Sequence, residues 1–402
     1  MATACIAHSA LQVHGISKPI IAKFDQPHAS SDGGAILLKA IDDRLGLTWR
    51  LASAIHDRRQ SGKVVHPLRD LLRQRVFGLA CGYADCNDAA RLIDDPIHKL
   101  LLERDPLEGA GLGSQPTLSR FENAVGRADL YRLGTALADA VLMFHRERLG
   151  EDVRLITIDL DATDDPTHGQ QEFALFNGYY DTWCYLPLIA TVTFNTEPIQ
   201  HVVAALLRPG TGAATRGVRG VLRRLFVKLR TLFPRARLRV RADAGFADAK
   251  LLAFLDAAEV EYVLGLAGNR RLDKRVRRLL GRARMQARRT GDTATLYGET
   301  RYAARRWARK RRIIMKAEVL CYPGRSQLRL LFSVAAYALF QTLQTFACLT
   351  GLGAAQVGTL RERLVKVAVW VERSVRRIVL HLPQAFPWRE TWGALAHALT
   401  AT

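Results

Sequence analysis

Residues 155–163 form the segment LITIDLDAT, in which an apolar, strand-like run ends in two acids, Asp159 and Asp161. A second apolar run, around residues 238–240, continues into the segment RADAGF with Asp243. In open α/β sheets, binding sites form outside the carboxyl ends of the strands. Two divalent ions that hold the attacking and leaving oxygens of a phosphodiester need carboxylates that converge from separate strands. The sequence therefore predicts a site for Mg²⁺ or Mn²⁺ at Asp161 and Asp243, with Asp159 beside them.

Each of these acids also has a purely structural interpretation. An Asp at a strand end is more often a turn residue or helix cap than a metal ligand. Only the combination of Asp161 with Asp243, at the ends of two strands, makes the metal-binding interpretation as favourable as the structural one. Asp159 and Asp161 are two residues apart, so both side chains would face the same side of a strand. The pair Asp164-Asp165 before a proline indicates a turn, and His168 is expected to be a loop residue.

The order of elements along the chain predicts an α/β fold with a helical N-terminal region. Apolar residues recur at three- and four-residue steps over about 32–148, which indicates helices. Three strands (153–158, 185–194 and 199–207) are then followed by a helix, a strand near 238–240, a helix over 247–258 and a strand over 262–266. This order resembles that of an RNase H-like domain, a mixed sheet flanked by helices.

The rest of the chain is expected to extend this domain. Residues 270–312 suggest a basic insertion or β-rich excursion, with strand candidates at 293–297 and 313–319. Helices over 328–349 and 355–374, an apolar run and a terminal helix predict a helical C-terminal part. We therefore expect three parts: 1–150, helical and DNA-binding; 151–330, the RNase H-like domain with the insertion; and 331–402.

Positive charge is concentrated in one region. Residues 208–313 hold 29 Lys and Arg against 8 Asp and Glu, which accounts for the whole net charge of +21. Such a field is expected for a phosphate-backbone partner and favours double-stranded DNA over an anionic membrane. The densest run is RRWARKRR, with the candidate phosphate contacts Arg305, Arg306, Arg309, Lys310, Arg311 and Arg312. Arg120, on a helix expected to begin after Ser114, is as compatible with DNA reading as with simple packing.

Cysteines and hydropathy indicate the compartment. The six cysteines show neither zinc spacing nor a disulfide framework, which fits the reducing cytoplasm. The N-terminus lacks the pattern of a secretory signal. Residues 330–360 carry no charge, but polar residues and glycines interrupt them, so a buried core helix is expected instead of a membrane span.

Aromatic residues cluster just before the second strand. The segment FNGYYDTWCY, residues 176–185, contains an Asn-Gly pair that favours a tight turn, and aromatic rings commonly fill cores. A packed turn is the favoured interpretation. Stacking on unpaired bases near a cut site is the alternative.

These motifs together resemble the DDE-type transposases of insertion sequence family 1380, in the insertion sequence 4 superfamily. The resemblance implies that Asp161 and Asp243 are catalytic acids that use Mg²⁺ or Mn²⁺, with water and then a DNA 3′-hydroxyl as nucleophiles. It implies as partners the insertion-sequence ends and target DNA, a homodimer in the DNA complex, and a cytoplasmic, nucleoid-associated location. The matching segments are DGG (32–34), LRQRV (72–76), CGYAD (81–85), Asn87-Asp88, SQPTLSRFEN (114–123), DLDAT (159–163), HGQ (168–170), FNGYY (176–180) and YLPL (185–188).

The family's third acid has no counterpart in this chain. It belongs to a Tyr-x2-Arg-x3-Glu motif, and only Tyr322 and Arg325 match, because Arg329 occupies the Glu position. Residue 326 leads almost directly into the segment QLRLL (327–331), and an internal deletion of several tens of residues, which would remove the third acid and a sheet strand, is the simplest explanation. Glu299, Glu318, Glu362 and Glu372 are conceivable replacements without the family context. The sequence thus leaves two alternatives: an active transposase, or a catalytically defective remnant that still binds DNA.

Overall fold

The computed structural model describes residues 9–11, 20–22, 28–83, 86–87, 92–167, 171–290, 295–315, 327–348, 352–373, 378–381 and 388–400. Three residues singled out in the sequence, His168, Glu318 and Tyr322, lie outside these ranges. The same holds for Arg325 and for the side chain of Arg329.

The first part of the chain is a set of helices with three short strands before them. Strands β1 (Ser9–Leu11) and β2 (Ile20–Ala22) pair with each other, and β3 is Ala29–Ser30. The helices bury their apolar faces in one core, as the three- and four-residue spacing predicted. They are α1 (Ala35–Leu45), α2 (Leu47–Ser53), α3 (Leu68–Ala80), α4 (Pro96–Leu101), α5 (Gln115–Ala124) and α6 (Arg127–Leu149).

A five-stranded mixed sheet follows, and its order is that of an RNase H-like domain, as predicted. The strands are β4 (Leu155–Ala162), β8 (Leu188–Phe194), β9 (His201–Leu206), β10 (Arg237–Ala242) and β11 (Glu261–Leu264), in the order β11-β10-β4-β8-β9. Strands β4, β8 and β9 are antiparallel neighbours, whereas β10 and β11 run parallel to β4.

The strand expected over 185–194 is divided in two. Residues 182–185 form β7, which belongs to a separate three-stranded sheet with β5 (Asp165–Pro166) and β6 (Leu175–Asn177), in the order β5-β7-β6. Pro187, which has no N–H to donate, lies at the break before β8. The pair Asp164-Asp165 was expected to form a turn, but Asp165 begins β5 and both side chains are buried.

Helices cover the central sheet. Helix α6 packs on β9, and α7 (Val218–Leu232) and α8 (Ala249–Ala257) contact each other through parallel rings of Phe226 and Phe254. Helix α10 (Gln327–Ala347) packs on β9, α1 and α3, and Gln341 accepts a hydrogen bond from the backbone N–H of Val202. This confirms a buried core helix. No helix in the described ranges is long and apolar enough to cross a bilayer.

The basic region differs from the β-rich excursion expected. Residues 270–290 form one helix, α9, followed by a hairpin of β12 (Gly298–Tyr302) and β13 (Arg311–Met315). Arg and Lys are good helix formers, and Leu272, Val276 and Leu279 repeat at helical spacing between them. The strand expected over 293–297 begins at Gly298 instead.

The helix expected over 355–374 is also shorter than predicted. Helix α11 (Val357–Leu360) continues as a wider turn to Val365, after which β14 (Val369–Arg373) pairs with both β15 (Ile378–His381) and β3. The last helix is α12 (Arg389–Thr400). The alternation of Val369 and Val371 fits a strand once partners are available, and one of these, β3, lies near the other end of the chain.

Gly34 explains why the early DGG segment contains glycine. A Cβ on Gly34 would lie 1.8 Å from the carbonyl oxygen of Leu364. Backbone hydrogen bonds join Gly33 to Val367 and Gly34 to Val365. The N-terminal helices are thus fastened to the C-terminal segment by direct backbone contact, which only glycine permits.

Candidate active site

The two predicted acids lie side by side at the carboxyl ends of β4 and β10. The parallel register pairs Asp159 with Arg241 and Leu160 with Ala242. The next step along both strands places Asp161 opposite Asp243, and neighbouring strands are about 5 Å apart. Both acids are exposed. The even-numbered residues of β4 point into the core, so the strand directs Asp161 outward.

Local hydrogen bonds fix Asp243 where the chain leaves β10. Its carboxylate accepts a hydrogen bond from the N–H of Gly245 at 2.8 Å and caps a single helical turn over Ala244–Phe246. Gly265, just after β11, packs against this corner, where a Cβ would come within 2.5 Å of the N atom of Ala244. The position of Asp243 is therefore set by backbone packing.

The electrostatics indicate that the two carboxylates share one environment. The surrounding protein removes part of the hydration of Asp243, which raises its pKa, and the negative charge of Asp161 raises it further. The N–H of Gly245 and the positive charge of Arg208 oppose this rise. The pKa of Tyr180 is raised by burial and by the charges of Asp164, Asp243 and Asp161.

Arg208 supplies positive charge beside this pair. It is 2 % exposed, and burial lowers its pKa to about 10. Its guanidinium donates to the carbonyl oxygens of Leu186, at 2.7 Å, and Ala214. The sequence analysis placed Tyr180 in the aromatic cluster but missed Arg208, because no pattern distinguishes that arginine from its many basic neighbours.

Asp159 is engaged differently from the other two acids. Its carboxylate forms a two-pronged ion pair with Arg241, at 2.6 and 2.8 Å, and Gln200 donates to it at 3.4 Å. In the described part of the chain, one group of three Asp, Glu, His or Cys residues brings its ligand atoms within 4.8 Å of one another, and it does not contain Asp159, Asp161 or Asp243. The structure thus brings two of the three predicted ligands together.

That group of three lies among the N-terminal helices and comprises Asp32, Cys81 and His98. Asp32 accepts hydrogen bonds from Tyr83 at 2.8 Å, His98 at 3.0 Å and Lys366 at 3.0 Å. These donors hold the pKa of the Asp32 carboxyl low despite its burial. Three donors, one of them a lysine ammonium, already neutralise the carboxylate. The arrangement is therefore a buried ion-pair network that ties β3 and α4 to the C-terminal segment.

The pair of carboxylates can hold a divalent cation, since Mg²⁺ and Mn²⁺ prefer carboxylate oxygen and keep several water ligands. The suggested replacement acids lie elsewhere or are not described. Glu299 is bound to Arg312 on the β12–β13 hairpin, and Glu362 is exposed after α11. The side chain of Glu372 is outside the described part.

The basic run divides into two groups. Arg309 and Arg311 bind the carboxylate of Asp256, and Arg312 binds Glu299. Arg311 is 8 % exposed, so its role in the fold is to attach the hairpin to α8. Within the described ranges, the exposed side chains of the other three residues form no ion pair or hydrogen bond: Arg305, Arg306 and Lys310.

Arg120 is exposed on α5. Leu118 and Phe121 of the same helix are buried, and the guanidinium lies 3.3 Å from the hydroxyl of Thr117. Both interpretations of this residue therefore remain open. Helix α9 adds further exposed cations, including Arg271, Lys274 and Arg278.

The aromatic cluster is only in part the packed turn that was favoured. Tyr185 is buried, but Phe176, Tyr179 and Trp183 are 46, 85 and 57 % exposed, and Phe173, just before the cluster, is 58 % exposed. The Asn-Gly turn is present, because Asn177 accepts the N–H of Tyr179 at 2.9 Å. The error was to assign the rings to the core, since a turn at the edge of a small sheet has little interior to fill.

The sheet order and the acid pair define an RNase H-like domain with a candidate metal site. The family model "Transposase DDE domain group 1" matches residues 13–321 and 324–402, and the chain belongs to this family. Among solved structures, the cryo-EM structure of a piggyBac transposase synaptic complex with hairpin DNA matches with a TM-score of 0.38 and 10% identity, over 82% of this chain and 79% of that chain. No curated protein matches.

Proposed function

We propose that this protein is a DNA transposase of an insertion sequence, in which Asp161 and Asp243 carry metal-dependent cleavage and strand transfer at terminal inverted repeats. The observation that carries the proposal is the meeting of these two acids at the ends of neighbouring parallel strands, with the charge of Asp161 raising the pKa of Asp243. Membership of a transposase DDE family supports it.

Asp161 and Asp243 would hold Mg²⁺ or Mn²⁺. Such an ion supplies an activated oxygen nucleophile and stabilises charge on the phosphate. The chain's own residues hold the two carboxylates at the ends of neighbouring strands, and Arg208 offsets part of their repulsion. Asp159, bound to Arg241, keeps the end of β4 in register with β10.

The finer assignment to insertion sequence family 1380 rests on the ordered short motifs. Because the third acidic motif of that family was not found in this sequence, we keep a second candidate function, a catalytically defective protein that binds DNA. The family match is divided at residues 322–323, next to the place where a deletion was inferred from the sequence. Without a third carboxylate, a second ion lacks a ligand from the protein.

DNA binding is proposed for the helical part, 1–150, and for the basic surface of 270–312, within the three-part division at residues 150 and 330. Arg305, Arg306 and Lys310 remain accessible to phosphates, and Arg120 is exposed on α5. The expected partners are the insertion-sequence ends and target DNA, held by a homodimer. The expected location is the cytoplasm, at the nucleoid.

The test combines binding and cleavage in one reaction. The purified full chain is incubated with duplex DNA that carries the element's terminal repeats, without a divalent ion and with Mg²⁺ or Mn²⁺. Mobility shift reports binding, and denaturing gels report nicking. Nicking that disappears in Asp161→Asn and Asp243→Asn, but persists in the exposed-acid control Asp152→Asn, supports the active transposase.

Two other outcomes separate the alternatives. Binding of the terminal repeats without nicking supports the defective remnant. Absence of specific binding to these repeats refutes both.

A further inference from the structure

An exposed aromatic surface lies on the small sheet β5-β7-β6. We name it the aromatic platform and define it by Phe173, Phe176, Tyr179 and Trp183. Phe176 and Trp183 are direct partners across β6 and β7, with ring centroids 6.2 Å apart. Burial of one such side chain stabilises a protein by about 2 to 3 kcal/mol, so four exposed rings together indicate a surface that binds something.

The platform is rigid. The side-chain N–H of Asn177 donates to the carbonyl of Gly210 at 2.6 Å, and its oxygen accepts from the N–H of Tyr179 at 2.9 Å. Gly210 packs so closely that a Cβ would lie 2.2 Å from the carbonyl oxygen of Cys184. The rings are therefore presented by a fixed backbone, which lowers the entropy lost when a ligand binds.

The platform adjoins the acid pair. Strand β5 begins only four residues after Asp161 and pairs with β7. Tyr180, which follows the platform residue Tyr179 and touches its ring edge-on at 4.9 Å, is close enough to Asp161 and Asp243 for their charges to raise its pKa. The platform is therefore carried by the segment that follows Asp161, and its ring Tyr179 contacts a tyrosine that lies near the acid pair.

Charge identifies the occupant. The loop that fastens the platform, 208–217, contains Arg208 and the exposed Arg216 and opens the segment that holds the chain's entire excess of positive charge. An apolar, flat surface beside such a field fits a ligand with both aromatic faces and phosphates. A second copy of this protein, as the alternative occupant, would not require positive charge beside the aromatic rings.

We propose that the aromatic platform binds unstacked bases of the DNA strand beside the cleaved bond, with Trp183 and Phe176 as the main stacking faces. This inference rests on the proposed function, since it places the bases at that active site. Stacking of a base on an aromatic side chain contributes about 1 to 3 kcal/mol, which corresponds to roughly 5- to 150-fold in affinity.

The test measures binding without any divalent ion, so that it does not depend on cleavage. In EDTA, the full chain is titrated against two matched duplexes, one fully paired and one with a three-base unpaired segment containing 2-aminopurine. Anisotropy gives affinity, and 2-aminopurine fluorescence reports stacking. Trp183→Ala and Phe176→Ala are expected to weaken binding of the unpaired DNA at least 5-fold and to change binding of the paired duplex less than 2-fold.

Matched variants keep the result interpretable. Trp183→Phe retains a stacking face and is expected to restore most of the affinity. Tyr337→Ala removes an exposed ring, at 43 %, on α10, outside both proposed DNA-binding regions, and is expected to have no effect. Tyr179→Ala, at the most exposed position of the turn, removes a platform ring with little risk to folding.

Three results would overturn the inference. The first is equal affinity of wild type and the three platform variants, Trp183→Ala, Phe176→Ala and Tyr179→Ala, for unpaired DNA. The second is absence of any binding to either DNA. The third is a change from dimer to monomer in the variants with base binding intact. Failure of the proposed function alone is recognised differently. Platform-dependent base binding then persists, but Mn²⁺ produces no nicking and the terminal repeats are not preferred.

Discussion

Two buried histidines are expected to make the stability of this protein sensitive to mild acid. The rings of His145 on α6 and His201 on β9 lie in contact, with centroids 3.9 Å apart and planes tilted by 44°, next to Phe194. Burial, followed by the positive charge of Arg148 and of the partner ring, lowers the pKa of His145 to about 2. Burial and Arg148 lower the pKa of His201 to about 4, against a small opposing effect of Glu197.

The sign and size follow from proton linkage. In the unfolded chain both histidines take up a proton near pH 6.5, whereas the folded protein keeps them neutral. The unfolded state therefore binds more protons below pH 6.5, and stability falls as the pH decreases. Each proton contributes about 1.4 kcal/mol per pH unit, so two histidines lower the free energy of unfolding by about 5 kcal/mol between pH 6.5 and 4.5. That is a large part of the 5 to 15 kcal/mol typical of a folded protein.

The assay is urea unfolding followed by circular dichroism at half-unit steps from pH 4.5 to 7.5. The double variant His145→Met, His201→Met keeps similar volume and removes both titrating rings. We expect its unfolding free energy to change much less with pH than that of wild type, while His56→Gln, at an exposed position, behaves as wild type. A double variant with the same pH dependence as wild type would refute the reasoning.

Three further perturbations test the fold and the site. Gly34→Ala is expected to lower stability by about 3 kcal/mol or more, measured by urea unfolding, whereas Gly62→Ala, whose Cβ meets open space, is expected to have little effect. Asp243→Asn should raise the melting temperature at neutral pH, because the raised pKa of Asp243 means that folding disfavours its charged form. The same variant should no longer be stabilised by Mn²⁺. A melting temperature below that of wild type would contradict this. Asp256→Ala leaves Arg311 without its carboxylate partner, so we expect the free energy of unfolding to fall by about 2 kcal/mol. Trypsin should then cleave faster within 298–315. An unchanged cleavage rate would count against the attachment of the hairpin to α8.

The sequence was sufficient for the central sheet because its strands carry strong local signals. Apolar residues in β4 and β10 stop at acids, and the order of strands and helices leaves few topologies. The meeting of Asp161 and Asp243 follows from that order, since parallel neighbours end at the same edge. The partner of Asp159 could not be predicted, because Arg241 is separated from it by 82 residues and is chosen by strand register.

The errors have a common physical origin in contacts between distant segments. Strand β14 exists because β3 and β15 pair with it, and no local pattern at 369–373 names those partners. The basic run 305–312 was treated as one set of phosphate contacts, but Asp256 binds Arg309 and Arg311. A run of like charges indicates a surface field and does not reveal which of its members are already paired.

The proposed loss of the third acid would have an electrostatic consequence as well as a catalytic one. Burial and the charge of Asp161 already raise the pKa of Asp243, and Arg208 offsets only part of this effect. A third carboxylate at this edge would increase the repulsion whenever no cation is bound, so a complete site depends more strongly on its ions for stability. A site with two acids and a buried arginine has less electrostatic repulsion when no cation is bound. We therefore expect this protein to remain folded without divalent ions, and the proposed defective copy would then persist as a stable DNA-binding protein.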